Sequence, residues 1–347
     1  MSGEIFETKG RRNMKAATLY ETGGPEKVII EEKSIRDLKD NEVLIKVKSA
    51  ALNRRDLFIT YGLYPGMKLP CILGADGAGV VVKVGKDVTG IQEGSEVIID
   101  PGLNWGENND FAQQEFRILG MPSDGTFAQY VIVPSSNVYR KPDHLSFDEA
   151  AALPLAGVTA YRALFTRGQV EKGETVLIPG IGSGVAQYLL QMAVSVGANV
   201  YVTSSSEEKI NRAVMLGAKG GVNYRDENWA KTLKNQMGSA NLIVDGVGGP
   251  GFNNLIQLTA PGGRIVSYGA TNGPVPNCVM PKIFFKNMDI LGTTMGSPRD
   301  FENMLTLYEK YELQPMIDRT FSLDETKEAL MYMGEGKNFG KIVIRIE

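Results

Sequence analysis

Histidine is nearly missing from this chain, which has one, His144, in 347 residues. Cysteine is almost as scarce, with only Cys71 and Cys278. Two thiols so far apart form neither a disulfide framework nor a CxxC metal cluster. They are expected to be ordinary buried thiols in a reducing compartment. Apolar runs are short, and none approaches the ~20 residues of a membrane-spanning helix. The opening stretch, "MSGEIFETKGRRN", has no apolar core, so no secretory signal is expected there and the location is expected to be cytoplasmic. Charge of one sign is also lacking: 37 Lys and Arg against 40 Asp and Glu leave a net of −3. That balance points to neither a nucleic-acid nor a membrane partner.

Glycine is plentiful, with 40 residues, and 43% of the chain is apolar. The length allows two domains with sizeable cores. Residues 14–150 read as a β-rich domain of short strands and glycine turns, among them "NEVLIKVKSAAL", "GAGVVVKVG" and "SEVIID". Residues 1–13 read as a loose tail. Residues 151–297 alternate strands with amphipathic helices, which implies an α/β domain with a parallel sheet covered on both faces. Residues 298–347 read as two helices and a closing strand, "GKIVIRI", that returns to complete the first domain.

The segment "TVLIPGIGSGVAQYLL" sets Gly180, Gly182, Ser183, Gly184 and Val185 between a strand and a helix. Glycines there let the backbone approach a pyrophosphate, and the helix N-terminus offers free amides to it. The next strand ends in "VTSSSEEK" instead of the acid that usually holds a ribose hydroxyl in NAD sites. Ser204 and Ser205 can donate to a 2′-phosphate, and Lys209 can neutralise it. The expected dinucleotide is therefore NADPH. Helix capping is the other use for those serines.

"LGADGAGVV", residues 73–81, is similar to the "GHEGAGVV" segment of zinc-dependent alcohol dehydrogenases, with Ala75 and Asp76 in the His and Glu places. Together with the domain order and the glycine loop, it makes the chain resemble the medium-chain dehydrogenase/reductase superfamily from Met14 to the end. The nearest likeness is to the zinc-free branch, the NADPH-dependent quinone reductases and enoyl reductases. The resemblance implies a GroES-like β-rich catalytic domain, a Rossmann doubly wound parallel sheet, and a cleft for nicotinamide and substrate. It also locates the places of the catalytic zinc ligands. They hold Asn53, Ala75 and Leu155, and the stretch matching the structural-zinc lobe has no cysteine. No metal is expected.

Without zinc, alcohol oxidation loses its Lewis acid, whereas reduction of an activated C=C bond or a quinone needs positioning, charge stabilisation and a proton. In "NRRDLFITYGLY", Asn53, Asp56, Gly62 and Tyr64 match an enoyl-reductase pattern. The resemblance makes Tyr64 the proton donor, with a plain cleft-lining aromatic as the alternative. Asn53 would orient nicotinamide ribose or the substrate oxygen, with Asp56 beside it. Thr159, Tyr224, Val247, Gly269, Ala270, Thr271, Gly292, Thr293 and Lys341 are implied as further cofactor contacts. The function expected is NADPH-dependent reduction of quinones or α,β-unsaturated carbonyls. An alcohol dehydrogenase, or a non-catalytic, crystallin-like NADPH-binding protein, are the other readings. The resemblance also suggests a homodimer formed through "DILGTTMG".

Overall fold

The computed structural model describes residues 7–8, 11–182 and 184–347. They form two compact units. One runs to Leu155 and takes back Ser297–Arg299 and Gln314–Glu347; the other holds Ala156–Gly296 and Asp300–Leu313.

The first unit is β-rich. Its main sheet runs in the order Val138–Arg140, Glu96–Ile99, Asp76–Val84, Glu42–Ala51, Lys341–Arg345 and Ile317–Ser322, and Tyr130–Pro134 also pairs with Glu42–Ala51. The closing strand Lys341–Arg345 lies antiparallel to Glu42–Ala51, with Val343 opposite Ala51. That pairing brings the chain end back beside residues it follows by nearly three hundred positions. The alternation of "NEVLIKVKS" predicts one solvated face, yet most of Glu42–Ala51 is buried. The helix Phe147–Ala152 contributes to covering it: Ala51, Ala152 and Val343 pack as one cluster. A second, smaller sheet pairs Arg11–Leu19 with Glu7–Thr8 and Val28–Ser34, so strand pairing reaches into the stretch 1–13 that the sequence reads as a loose tail.

The second unit is a six-stranded sheet in the order Gly220–Asn223, Asn199–Ser204, Thr175–Ile178, Ala240–Asp245, Thr259–Ser267 and Asp289–Gly292. Every pairing in it is parallel. All the strands therefore present their C-terminal ends on one side, where open α/β sheets carry ligands. Ile178, Val200, Val202, Ile243, Val244 and Ile265 are fully buried, as expected for a sheet covered on both faces.

Further sequence expectations change, and one feature was not anticipated. The helix Pro298–Tyr311, assigned by texture to the first domain, joins the second unit from Asp300 onward. The Asp300 carboxylate accepts from Arg162 at 2.7 Å and from Thr166 at 2.5 Å, and the Tyr308 hydroxyl donates to Gln191 at 3.2 Å. Arg162–Arg167 continues the preceding helix as a π-helical turn that periodicity did not signal. The thiols also differ from one another. Cys71 is buried and donates to the Ser123 carbonyl at 3.3 Å, and burial pushes it up to about 12, whereas Cys278 is exposed. Cys278 falls in the mostly exposed loop 270–279, which has little apolar surface to bury it.

Candidate active site

In the β-rich unit, helix Arg54–Thr60 starts at Asn53, and the Asn53 backbone N–H donates to Asp56 Oδ2 at 2.8 Å. This bond satisfies a donor at the helix entry. Asp56 is fully buried, and its Oδ1 has no hydrogen-bond partner. Burial pushes its carboxyl up to about 6, against the pull of Arg55 and of the Asn53 N–H. The Arg55 guanidinium lies 3.6 Å from Asp56, donates to the carbonyls of Leu119 and Met121, and sits 4.7 Å from the centre of the half-buried Tyr64 ring.

Strand Asp76–Val84 brings Asp76 to the same place. Asp76 Oδ2 accepts from Asn53 Nδ2 at 2.9 Å and from Lys341 Nζ at 3.0 Å. Its Oδ1 accepts the backbone N–H of Leu155 at 2.9 Å. Lys341 Nζ also donates to Asn53 Oδ1 at 2.8 Å. Lys341 is 4% exposed and Asp76 fully buried. Gly74 permits the approach with φ +97°, and a Cβ there would run into the Phe127 ring. Asp100, at the end of strand Glu96–Ile99, is buried too. Desolvation raises it to about 7 despite the Gly102 N–H it accepts at 2.9 Å, and the Asp76 charge adds to the rise.

This arrangement does not fit zinc. Two of the three ligand places, Asn53 and Leu155, are bonded to Asp76, the third is Ala75, and an ammonium stands among them. Among the described residues, no three His, Cys, Asp or Glu side chains are grouped to hold a metal ion.

In the parallel-sheet unit, strand Thr175–Ile178 runs into Gly180 and Gly182 at φ +69° and +117°. Helix Gly184–Ser195 follows, with Val185 in its first turn. Ser183 lies outside the described residues. A Cβ on Gly182 would come within 2.8 Å of Lys209 Cδ and 3.2 Å of its Nζ, so the lysine arches over the loop. These features fit a dinucleotide phosphate: a bare loop, a helix start and a nearby ammonium.

Ser204 is buried and its Oγ accepts from Ser206 N–H at 3.2 Å. Ser206, not Ser204 or Ser205, caps the next helix by accepting from Lys209 N–H at 3.4 Å. Ser205 is half-buried, and Tyr224 is exposed with its N–H on the Ser204 carbonyl. Val247 and Gly248 donate to the buried Asp245 carboxylate at 3.0 Å each. Burial raises Asp245 while those two N–H groups oppose the rise. The N–H of Thr271 reaches the Gly246 carbonyl, with Gly269 and Ala270 just before it. Gly292 pairs with Ser267, and Thr293 N–H donates to Ser267 at 3.0 Å. The Thr293 Oγ1 is buried without a partner. Thr159 lies on helix Pro154–Tyr161 and is 6% exposed.

The structure thus gathers Asn53, Asp56, Tyr64 and Lys341 in one unit and the remaining implied cofactor residues in the other. Sequence reasoning overlooked the acceptor roles of Asp76 and Asp245. A signal existed for both. Each is the only acid of a largely apolar strand and stands at its end, and a buried charge requires a partner.

Comparison with known proteins agrees with this division. Residues 39–143 match the alcohol dehydrogenase GroES-like domain, and residues 184–310 the zinc-binding dehydrogenase family. A zinc-type alcohol dehydrogenase-like protein of Schizosaccharomyces pombe is 38% identical over 89% of this chain and 92% of its own. A quinone oxidoreductase-like protein of Bos taurus is 27% identical over 97% of this chain and 93% of its own. An acryloyl-coenzyme A reductase of Sulfurisphaera tokodaii is 28% identical over 88% and 92%. The crystal structure of an NAD-dependent alcohol dehydrogenase superposes with a TM-score of 0.91 and 36% identity, over 96% of this chain and all of that one. With its GroES-like domain and its Rossmann-type parallel sheet, the chain belongs to the medium-chain dehydrogenase/reductase superfamily of nicotinamide-dependent oxidoreductases.

Proposed function

We propose that the protein is an NADPH-dependent reductase of quinones or α,β-unsaturated carbonyl compounds that works without a metal. The observation that carries this is the amide, carboxylate and ammonium cluster that Asp76 and Lys341 form around Asn53, one of the zinc-ligand places. It offers an amide N–H from Asn53, beside a carboxylate and an ammonium that neutralise one another, but no ligand set. Such a donor stabilises charge on a carbonyl oxygen. It does not replace the metal that lowers the acidity barrier of an alcohol.

Gly180, Gly182, Gly184 and Val185 would hold the pyrophosphate, with Ser183 in the same loop. Ser204, Ser205 and Lys209 would hold the 2′-phosphate, and Tyr224 the adenosine side. Thr159, Val247, Gly269, Ala270, Thr271, Gly292 and Thr293 would line the rest of the dinucleotide. Bound NADPH supplies a hydride. The chain's own tasks are to hold the substrate carbonyl through Asn53 and to deliver a proton from Tyr64, whose ring is steadied by Arg55. Asp56 acts through Asn53, since it is fully buried and bonded to the Asn53 N–H. A homodimer is supported by strand Asp289–Gly292. It is the edge of the parallel sheet and carries exposed Ile290, with Phe284 and Phe285 exposed just before it. No helix among the described residues is long and apolar enough to cross a membrane, and a cytoplasmic setting suits the free thiols.

Alcohol dehydrogenase is the second reading, favoured by the names of the S. pombe relative and the crystallographic neighbour. One experiment separates the two. Turnover is measured with NADPH and NADH on quinones, enones and alcohols, with metal content determined on the same sample. Reduction of a quinone or enone at under about 0.1 zinc per chain supports the proposal. About one zinc per chain, with alcohol turnover abolished by a chelator, would overturn it.

A further inference from the structure

Asn53 is held by opposite charges at its two ends. Its Oδ1 faces the Lys341 ammonium at 2.8 Å and its Nδ2 faces the Asp76 carboxylate at 2.9 Å. The ammonium and carboxylate are themselves paired at 3.0 Å, which closes a triangle. An amide can usually rotate to exchange its donor and acceptor ends. Here the exchange would set N–H against an ammonium and C=O against a carboxylate, in a site where Lys341 is 4% and Asp76 0% exposed. Burial strengthens both repulsions. Asp76 is in turn fixed from outside the triangle by the Leu155 N–H at 2.9 Å.

The bonds also consume most of what Asn53 can offer. The Oδ1 is engaged by the ammonium and one Nδ2 proton by the carboxylate. The second Nδ2 proton has no acceptor among the described residues. We propose that Asp76 and Lys341 are positioning residues that lock the Asn53 amide so that it offers an N–H, making the site selective for a substrate presenting an acceptor oxygen, the carbonyl of an enone or quinone. The inference rests on the reductase reading for its substrate, but the lock itself is a property of the protein alone.

The lock is tested spectroscopically on full-length protein labelled with ¹⁵N at asparagine side chains. Asn53→Ala identifies the Asn53 NH₂ signals by their loss. In Lys341→Met these signals should shift and exchange with solvent at least about tenfold faster. Unchanged signals and exchange would overturn the proposal. Kinetics supply a second arm. With 2-cyclohexenone as the probe, Asn53→Ala should lower kcat/KM roughly 10²-fold, the usual loss for one oxyanion donor. Lys341→Met should do about the same. The double variant should fall no more than about twofold further, because residues acting through one group are non-additive. Multiplying losses, or NADPH binding weakened about tenfold by Lys341→Met, would assign the ammonium a separate role and overturn the proposal. Should Lys341→Met not fold because Asp76 loses its counter-charge, Asp76→Asn/Lys341→Met removes both charges and carries the same expectations. If the wild type reduces neither enones nor quinones, the reductase reading falls, and the amide signals still decide the lock.

Discussion

Replacing Asp100 by asparagine should uncouple part of the protein's stability from pH. Asp100 is 1% exposed, its Oδ1 accepts the Gly102 N–H at 2.9 Å, and its carboxyl is raised from 3.8 to about 7, chiefly by desolvation. The folded state therefore holds a proton that the unfolded state releases. A group raised in this way contributes stability that is full below about 3.8 and lost as pH rises through about 7. A rise of about 3 units corresponds to roughly 4 kcal/mol in total. Of that, about 3 kcal/mol should disappear between pH 5 and pH 8 by the same linkage. The substituted amide keeps an acceptor for Gly102 and has no proton to release. The stability of Asp100→Asn relative to wild type should then improve by about 3 kcal/mol from pH 5 to pH 8. Urea unfolding followed by circular dichroism at half-unit pH steps measures this difference. Carboxylates lowered by partners, such as Glu42 beside Arg36 and Glu174 beside Arg264, lose stability in acid but do so in both proteins and cancel. Parallel stability curves, within about 0.5 kcal/mol across that range, would refute the reasoning.

Lys209→Ala should weaken NADPH binding by roughly tenfold or more, the loss of a charge-assisted bond of about 1.5–3 kcal/mol, while NADH binding barely changes. Fluorescence titration of both cofactors checks it, and equal affinity of the wild type for the two would remove the basis for NADPH. Tyr64→Phe should reduce enone turnover about 10²- to 10⁴-fold and quinone turnover far less, because quinone oxygens can take protons from water. Small and equal losses would leave Tyr64 as a ring under Arg55 and nothing more. Phe285→Asp replaces a ring that is 79% exposed near the sheet edge with a charge, and light scattering should show a dimer for the wild type and a monomer for the variant. A wild type that is already monomeric, or a variant that stays dimeric, refutes that surface as the interface.

Periodicity and glycine spacing were enough to read the alternating strands and helices of the parallel-sheet unit, because those signals are local. The strand Thr175–Ile178, the turn through Gly180 and Gly182, and the helix Gly184–Ser195 follow one another within about twenty residues. The mismatch of Asn53, Ala75 and Leu155 with zinc is equally local, since alanine and leucine have no ligating atom wherever they lie. What stands in their place was decided only by tertiary structure. Lys341 and Asp76 are 265 residues apart, and only the antiparallel return of Lys341–Arg345 onto Glu42–Ala51, itself paired with Asp76–Val84, brings them together. The placement of helix Pro298–Tyr311 depended in the same way on the bond between Arg162 and Asp300, 138 residues apart. Asp56 and Asp100 carry raised pKa values for a related reason. Their titration depends on how much water the assembled core excludes, and no sequence window contains that quantity.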